Sequence, residues 1–407
     1  MFSTWISITA ISICALWAIV LIYMYVSTRT MPLLREVGVC LPTEQTEWPL
    51  LSVIICARNE ADHLEMALDS VLQQDYPSLE IVLVNDRSTD ATGEIIDRLA
   101  ASNARVKAVN VTHLPAGWLG KVHALHQGVR YARGEWYLFS DADVYCQAGT
   151  LRRAVGYAIH HKVNHVTCLP ELIISSAFWL GVTIRSFYLL LCIAARLAEV
   201  NRNKSKWPIG VGAFNLVEAA AFKRTPGFEW LRMEPGDDIG LGLMLKKVGA
   251  RTRLLNADGA IRVPWYESLR AMIRGLEKNS FGPGANYSYL RQVLMVLSLW
   301  CLILAPPISM LVGFHAKDAA LLGAGAAAFM TTFVTALAMP RRALRDILAY
   351  LFLPIGTIVV SLIMLRSAWK CLRNGGIDWR GTHYPVEQLR RGQRVKFSPL
   401  GQDIHSS

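Results

Sequence analysis

Residues 137–146 read YLFSDADVYC: a short apolar and aromatic run meets two aspartates one residue apart, Asp141 and Asp143, and the chain then turns apolar again. A run apolar on both faces predicts a buried strand, with the carboxylates at its carboxyl end. The pattern recurs upstream. LSVIICA (51–57), EIVLVND (80–86), RVKAVNV (105–111) and EWYLFSD (135–141) predict four strands. Between and after them EADHLEMALDSVLQQ, TDATGEIIDRLAAS, KVHALHQGVRYA and TLRRAVGYAIHH predict helices; the first has Leu64, Leu68, Val71 and Leu72 at helical spacing, and Thr89 or Asp90 is placed to cap the second. Strands alternating with helices imply an α/β fold, a mostly parallel Rossmann-like sheet with helices on both sides.

The bulk composition asks for a membrane component as well. Of 407 residues 53% are hydrophobic, more than a purely soluble chain of this length carries. WISITAISICALWAIVLIYMYV (5–26) has no charge over a length that can cross the roughly 30 Å hydrocarbon layer, and Arg29 and Arg35 follow it. With no basic stretch before it and no small-residue cleavage site after it, the run reads as a retained anchor (1–28) whose C-terminal end faces the cytosol. Three further apolar runs (293–314, 319–339 and 347–365) make a C-terminal membrane region at 291–366, with two or three segments. A basic tail at 367–407 follows. If all three runs spanned, the tail would lie outside, against the charge rule; Pro354 and Gly356 in the third suggest a re-entrant segment and a cytosolic tail. The net charge of +11 then reflects topology and attraction to anionic lipid. Basic residues are not interleaved with aromatics as in a nucleic-acid groove, so no nucleic-acid partner is expected. Eight cysteines show neither metal nor disulfide spacing.

Parallel sheets bind ligands at the carboxyl ends of their strands, and polar residues gather there: Ala57-Arg58-Asn59-Glu60, then Asn85-Asp86-Arg87-Ser88, then Asp141-Ala142-Asp143. Neither a Gly-rich dinucleotide fingerprint nor a Walker lysine loop is present, which disfavours nicotinamide and P-loop chemistry. Asp141 and Asp143, two apart on an extended chain, point to the same side and can seat one Mg2+ or Mn2+ completed by substrate phosphates, or can simply cap the next turn. GWLGKVHALHQG (117–128) sets Lys121 at a helix start, where an ammonium and backbone N–H groups can meet a phosphate or serve an ordinary helix end. MEPGDDIGLGLMLKKVG (233–249) has Asp237 and Asp238 at another helix mouth, as dipole partners or as a general base.

SVIICARNE, EIVLVNDRSTDAT, GWLGKVHALHQGV, YLFSDAD and PGDDIGLGLMLKKVG, in that order over roughly residues 50–285, resemble the family 2 glycosyltransferases, in the membrane-anchored branch that includes ceramide, carotenoid and hopanoid-associated sugar transferases. The resemblance implies a GT-A domain over 48–290 and inverting sugar transfer from a nucleotide donor, with UDP preferred. It also implies roles. Ala57, Arg58 and Glu60 would border the nucleotide, Asp86 would hold base or ribose, and Lys121 would sit near the nucleoside or its phosphates. Asp143 would be the main metal ligand with Asp141 helping, and Asp238 the base with Asp237 its neighbour. A Q/R-x-x-R-W motif is missing: the corresponding stretch, RGLEKNSFGPG, offers Arg274 and Lys278 instead, which weakens a polymer-synthesising reading.

ELIISSAFWLGVTIRSFYLLLCIAARLAE (171–199), interrupted by Arg185 and Arg196, reads as an interfacial helix or a buried one. The expectation is an integral enzyme of the inner or cytoplasmic membrane, catalytic domain in the cytosol, acting on a lipid-like acceptor. Its alternatives are a polysaccharide-synthesising glycosyltransferase, a membrane nucleotidyltransferase and a non-catalytic scaffold.

Overall fold

The computed structural model describes residues 2–29, 31–38, 47–174, 177–202, 205, 207–278, 280–282, 284–338 and 344–396; the part of the tail beyond 396 lies outside them. The chain forms two compact units, one of Met1–Thr30, Ile174–Ala198 and Tyr266–Val386, the other of Met31–Ile173, Glu199–Trp265 and Glu387–Ser407.

The second unit is the α/β one. In chain order it holds β1 (Leu51–Ala57), α2 (Ala61–Leu72), β2 (Leu79–Asp86), α3 (Thr92–Ser102), β3 (Val106–Val111), α4 (Gly120–Tyr131), β4 (Trp136–Asp141), β5 (Tyr145–Cys146), α5 (Thr150–His160), β6 (His165–Ile173), β7 (Asn215–Glu218), α8 (Ala219–Lys223), α9 (Asp237–Lys247) and β8 (Thr252–Pro264). Among the described residues the strands make one sheet in the order β3-β2-β1-β4-β7-β6-β8-β5. β1 to β4 are mutually parallel, as their alternation with helices predicts. The far half departs from a pure parallel sheet: β7 runs antiparallel to both β4 and β6, while β8 is parallel to β6.

Burial explains the order. β1 and β2 are buried almost throughout, whereas β3, at the edge, alternates buried and exposed residues. Leu64, Leu68 and Val71 of α2 all enter the core, as their spacing predicts. Asp90 accepts the backbone N–H of Thr92 at 3.0 Å, so it serves the start of α3. Register then decides where the polar residues go. Ala57 lies opposite Asn85, and Cys56 opposite Asp141, so Arg58, Asp86 and Asp141 end on one edge of the sheet.

The first unit is helical: α1 (Phe2–Arg29), α6 (Phe178–Ala194), α10 (Leu269–Glu277), α11 (Tyr289–Ala316), α12 (Ala319–Ala338), α13 (Leu344–Leu351) and α14 (Leu353–Asn374), with a hairpin of β9 (Gly376–Trp379) and β10 (Thr382–Pro385). Short α7 (Leu197–Val200) and α15 (Val386–Gly392) stand where the chain passes from one unit to the other. Among the described residues three stretches, Ser7–Arg29, Tyr289–Ala316 and Leu353–Asn374, are long and apolar enough to cross a membrane; Phe178–Ala194 and Ala319–Thr332 are apolar but shorter. The run expected at 347–365 is corrected: it is the end of α13 and the start of α14, with Pro354 in the first turn of α14 rather than in mid-helix. Proline is at home there because a first-turn N–H needs no intrahelical partner. α14 also continues past residue 366, taking Lys370 out of the expected tail; Arg366 and Lys370 both pair with Glu277 of α10, at 2.6 and 2.7 Å.

α4 crosses β1 and β2 at Gly128, where an added Cβ would lie 2.6 Å from Ile54 Cγ2 and 3.1 Å from Val84 Cγ2. Gly128→Val should overpack this contact and cost about 1–3 kcal/mol. A thermal midpoint lowered by several degrees in detergent would show it; an unchanged midpoint would mean that α4 can lift off the sheet freely.

Candidate functional site

The site grows from three loops on the carboxyl edge of the sheet. After β1 and β2 the chain turns sharply, with Asn59 and Arg87 at φ of 56° and 54°. Such left-handed backbone is uncommon for side-chain-bearing residues and is often held in place at functional sites. Here the loops hold each other. Asn59 Oδ1 accepts the Thr89 N–H at 2.8 Å, Ser88 Oγ accepts the Asn59 N–H at 3.2 Å, and Thr92 Oγ1 accepts the Glu60 N–H at 2.9 Å. Asp86, buried at the end of β2, sits between two guanidinium groups: Arg87 Nε at 2.8 Å and Arg58 Nη1 at 3.9 Å.

β4 and α9 supply the acids. Lys121, in the first turn of α4, places Nζ 2.8 Å from Asp141 Oδ1 and 3.4 Å from Asp237 Oδ2. Their charges, with that of Asp238, hold the ammonium charged against the burial that opposes it. Asp238 Oδ1 accepts the N–H of Ile239 at 2.8 Å, and Oδ2 accepts the N–H of Gly212 at 3.1 Å. Burial first, then the charge of Asp237, pushes its carboxyl up to about 6, while Lys121 pulls the other way. Lys121, Asp141, Gly212, Asp237 and Asp238 line one pocket.

Asp143 is the other perturbed acid, raised to about 6 by burial and by the charges of Asp141 and Glu60, with Lys121 offsetting a smaller part. Among the described residues no group of three or more His, Cys, Asp or Glu side chains is arranged to hold a metal. β4 ends at Asp141 and Asp143 stands in the turn after it, not on an extended strand as expected; with Asp141 already bridged to Lys121, the two carboxylates still fit a divalent ion that takes one or two carboxylates and fills its shell with phosphate and water.

The loop before β7 went unnoticed in the sequence, yet it joins the two halves of the site. Gly212 donates its N–H to Asp238 and accepts the N–H of Asp141 at 3.1 Å. The backbone passes so close to α9 that a Cβ on Gly210 would collide with the carbonyl of Asp238, and one on Gly242 with the carbonyl of Ile209. Beneath it Thr167 Oγ1 accepts the N–H of Val211 at 3.0 Å, and Asn215 Nδ2 donates to the Val211 carbonyl at 2.9 Å. Buried His165 contacts Asn215 Oδ1 at 3.2 Å, and burial lowers its pKa to about 4, so it is neutral at ordinary pH. The available signal was WPIGVG, two glycines two residues apart, common enough to pass as a plain turn.

Ala57, Arg58, Glu60, Asp86, Lys121, Asp141, Asp143, Asp237 and Asp238 all belong to the α/β unit. Arg274 and Lys278 belong to the helical unit. Arg274 is on an exposed turn of α10, and Lys278 holds its ammonium 4.1 Å from the ring centroid of Trp379.

Residues 52–225 match the model of the family described as Glycosyl transferase family 2. That segment is therefore similar to a family 2 glycosyltransferase domain. An uncharacterized glycosyltransferase of Haemophilus influenzae is 29% identical over 121 residues, 30% of this chain and 36% of that protein. A 4,4'-diaponeurosporenoate glycosyltransferase of Staphylococcus aureus is 37% identical over 94 residues, 23% of this chain and 24% of its own length. The chain thus spans about a third or less of these relatives. Among solved structures, a mannosyltransferase from Pyrobaculum calidifontis in complex with GDP-Man and Mn2+ superposes with a TM-score of 0.49 at 21% identity, covering 90% of this chain and 98% of that one. The matched segment includes Asp86, Lys121, Asp141 and Asp143 but stops before Asp237 and Asp238, whose place in the site rests on their own geometry.

A carboxyl raised to about 6 ionises only above that pH. If Asp238 acts as a base, kcat/KM for sugar transfer should rise with pH on an acid limb centred near 6 and level off above it. Lys121→Met, which removes the charge favouring the carboxylate, should shift that limb to higher pH in a pH–rate series. A limb that stays in place would separate Lys121 from the base.

Proposed function

We propose that the chain transfers a sugar from a nucleoside diphosphate sugar, UDP-linked in the first instance, to a hydroxyl of an amphiphilic membrane acceptor, with inversion at the anomeric carbon. The observation that carries this reading is the Lys121 ammonium set between Asp141 and Asp237, beside a carboxylate, Asp238, fixed by the N–H of Gly212. Asp238 removes the acceptor's hydroxyl proton as the oxygen forms its bond to the anomeric carbon. On the opposite face the bond from that carbon to the diphosphate oxygen breaks, and the electron pair leaves with the nucleoside diphosphate. Lys121 faces the charge that develops there. Asp86 and its two arginines, with Ala57 and Glu60, border the nucleoside. Asp143, with Asp141, would hold Mg2+ or Mn2+, which supplies neutralising charge to the diphosphate when bound.

An amphiphilic acceptor is supported by the apolar helical unit and by the staphylococcal relative named for 4,4'-diaponeurosporenoate. Arg29, in the last turn of α1, and Arg35 beyond it support a cytosolic catalytic unit on the inner or cytoplasmic membrane.

The test is incubation of the detergent-purified protein with Mn2+, labelled UDP- and GDP-sugars and a total lipid extract, followed by counting label in the organic phase. Asp238→Asn should cut turnover by about 10²–10⁴-fold with donor affinity nearly unchanged, whereas Asp143→Ala should abolish the metal-dependent part of donor binding. Label confined to soluble or polymeric product would overturn the lipid acceptor. Preference for a nucleoside triphosphate over the nucleotide sugars would overturn glycosyl transfer itself.

A further inference from the structure

Glu234 is buried at 1% exposure and satisfied entirely by backbone. Its Oε1 accepts the N–H of Gly236 at 3.0 Å, and its Oε2 accepts the N–H groups of Arg394 and Val395 at 2.6 and 2.9 Å. Two of the three donors therefore come from a segment about 160 residues further along the chain. A buried carboxylate is tolerated only where its oxygens are bonded, so the loop and the distant segment need one another.

That loop is the approach to the base. Asp237 opens α9 three residues after Glu234, and Asp238 follows. The loop is tied elsewhere too: the Arg232 carbonyl accepts the N–H of Leu119 at 2.7 Å, two residues before Lys121. The distant segment grips the loop a second time, since Arg394 Nε donates to the Trp230 carbonyl at 3.1 Å and its guanidinium lies 5.1 Å from the centroid of the Trp230 ring. Val395 is fully buried, Gln393 is 5% exposed, and Gln393 Nε2 donates to the Val395 carbonyl at 2.8 Å, so the segment is seated rather than trailing. The same short stretch of loop thus contacts the strap at 394–395, the helix start that carries Lys121, and the first turn of the helix that carries Asp238.

We propose that Glu234 is a positioning residue for the base: through the backbone of Arg394 and Val395 it makes residues 392–395 a strap that fixes the 230–236 loop, and with it the placement of Asp238 and Lys121. The proposal rests on Asp238 being the base. A carboxylate displaced by about 1 Å loses on the order of a hundredfold in rate without losing its ligand, so the strap acts on turnover and leaves donor binding alone.

The experiment compares the full chain with Glu234→Gln, which removes one acceptor oxygen, with Val395→Pro, which removes one donor, and with a chain ending at Gly392. Amide hydrogen exchange is read first, because it does not depend on activity. The amides of 230–240 and of Leu119–Lys121 should exchange at least about tenfold faster in all three variants, while those of β1 and β2 keep their protection. In sugar transfer, kcat should fall about 10- to 100-fold with the donor KM and the Mn2+-dependent donor Kd within about threefold, and a synthetic peptide of residues 387–396 should restore part of kcat to the shortened chain. Unchanged exchange at 230–240, or a kcat within twofold of the full chain in every variant, overturns the strap. Loss of protection throughout the sheet, with donor binding lost in proportion in Val395→Pro and Glu234→Gln as well, also overturns it, since the segment would then merely hold the fold. If the full chain transfers no sugar, the base assignment falls, and the exchange data still decide whether the strap fixes the loop.

Discussion

One ammonium stands among three carboxylates at the carboxyl edge of the sheet, and the rest of the site is arranged around that imbalance. At about 4 Å and an effective dielectric near 20, a pair of unit charges interacts by roughly 4 kcal/mol, so Lys121, paired with Asp141 and Asp237, cannot offset every acid nearby. Burial first, and then the charges of neighbouring acids, leave Asp238 and Asp143 with suppressed acidity. A group kept partly reluctant to ionise is a better proton acceptor at neutral pH, and a carboxylate short of positive charge is a better seat for a cation.

This arrangement depends on backbone that comes from far along the chain. The Gly210–Gly212 loop is threaded between β4 and α9, where its N–H meets Asp238 and its carbonyl meets Asp141. Small residues are needed on both sides of the crossing because backbone meets backbone there. Buried His165, neutral and hydrogen-bonded, supports the loop from beneath, as Glu234 supports the start of α9 from the other side.

Much of this could be read in advance. The apolar runs at 51–57, 80–86, 105–111 and 135–141 became parallel strands, because a strand buried on both faces writes its state into local composition. Asp86, Lys121, Asp141, Asp237 and Asp238 were legible for a related reason: strand ends and helix starts are local features, and polar residues that interrupt apolar runs mark them. The run at 347–365 misled because a proline inside an apolar stretch looks the same whether it breaks a helix or begins one.

What the sequence determined by itself is the alternation of elements, the apolar helices at both ends and the residue types at the strand ends, all set by short-range periodicity and capping chemistry. What only the tertiary structure decided is which of those residues meet: the insertion of β7 antiparallel beside β4, the passage of Gly212 between Asp141 and Asp238, and the bond from Glu234 to a segment some 160 residues away. The physical reason is that a backbone N–H has no side-chain signature. Each of these contacts is made by main chain, and the residues bearing it, a glycine, a valine and an arginine, could have stood in any turn.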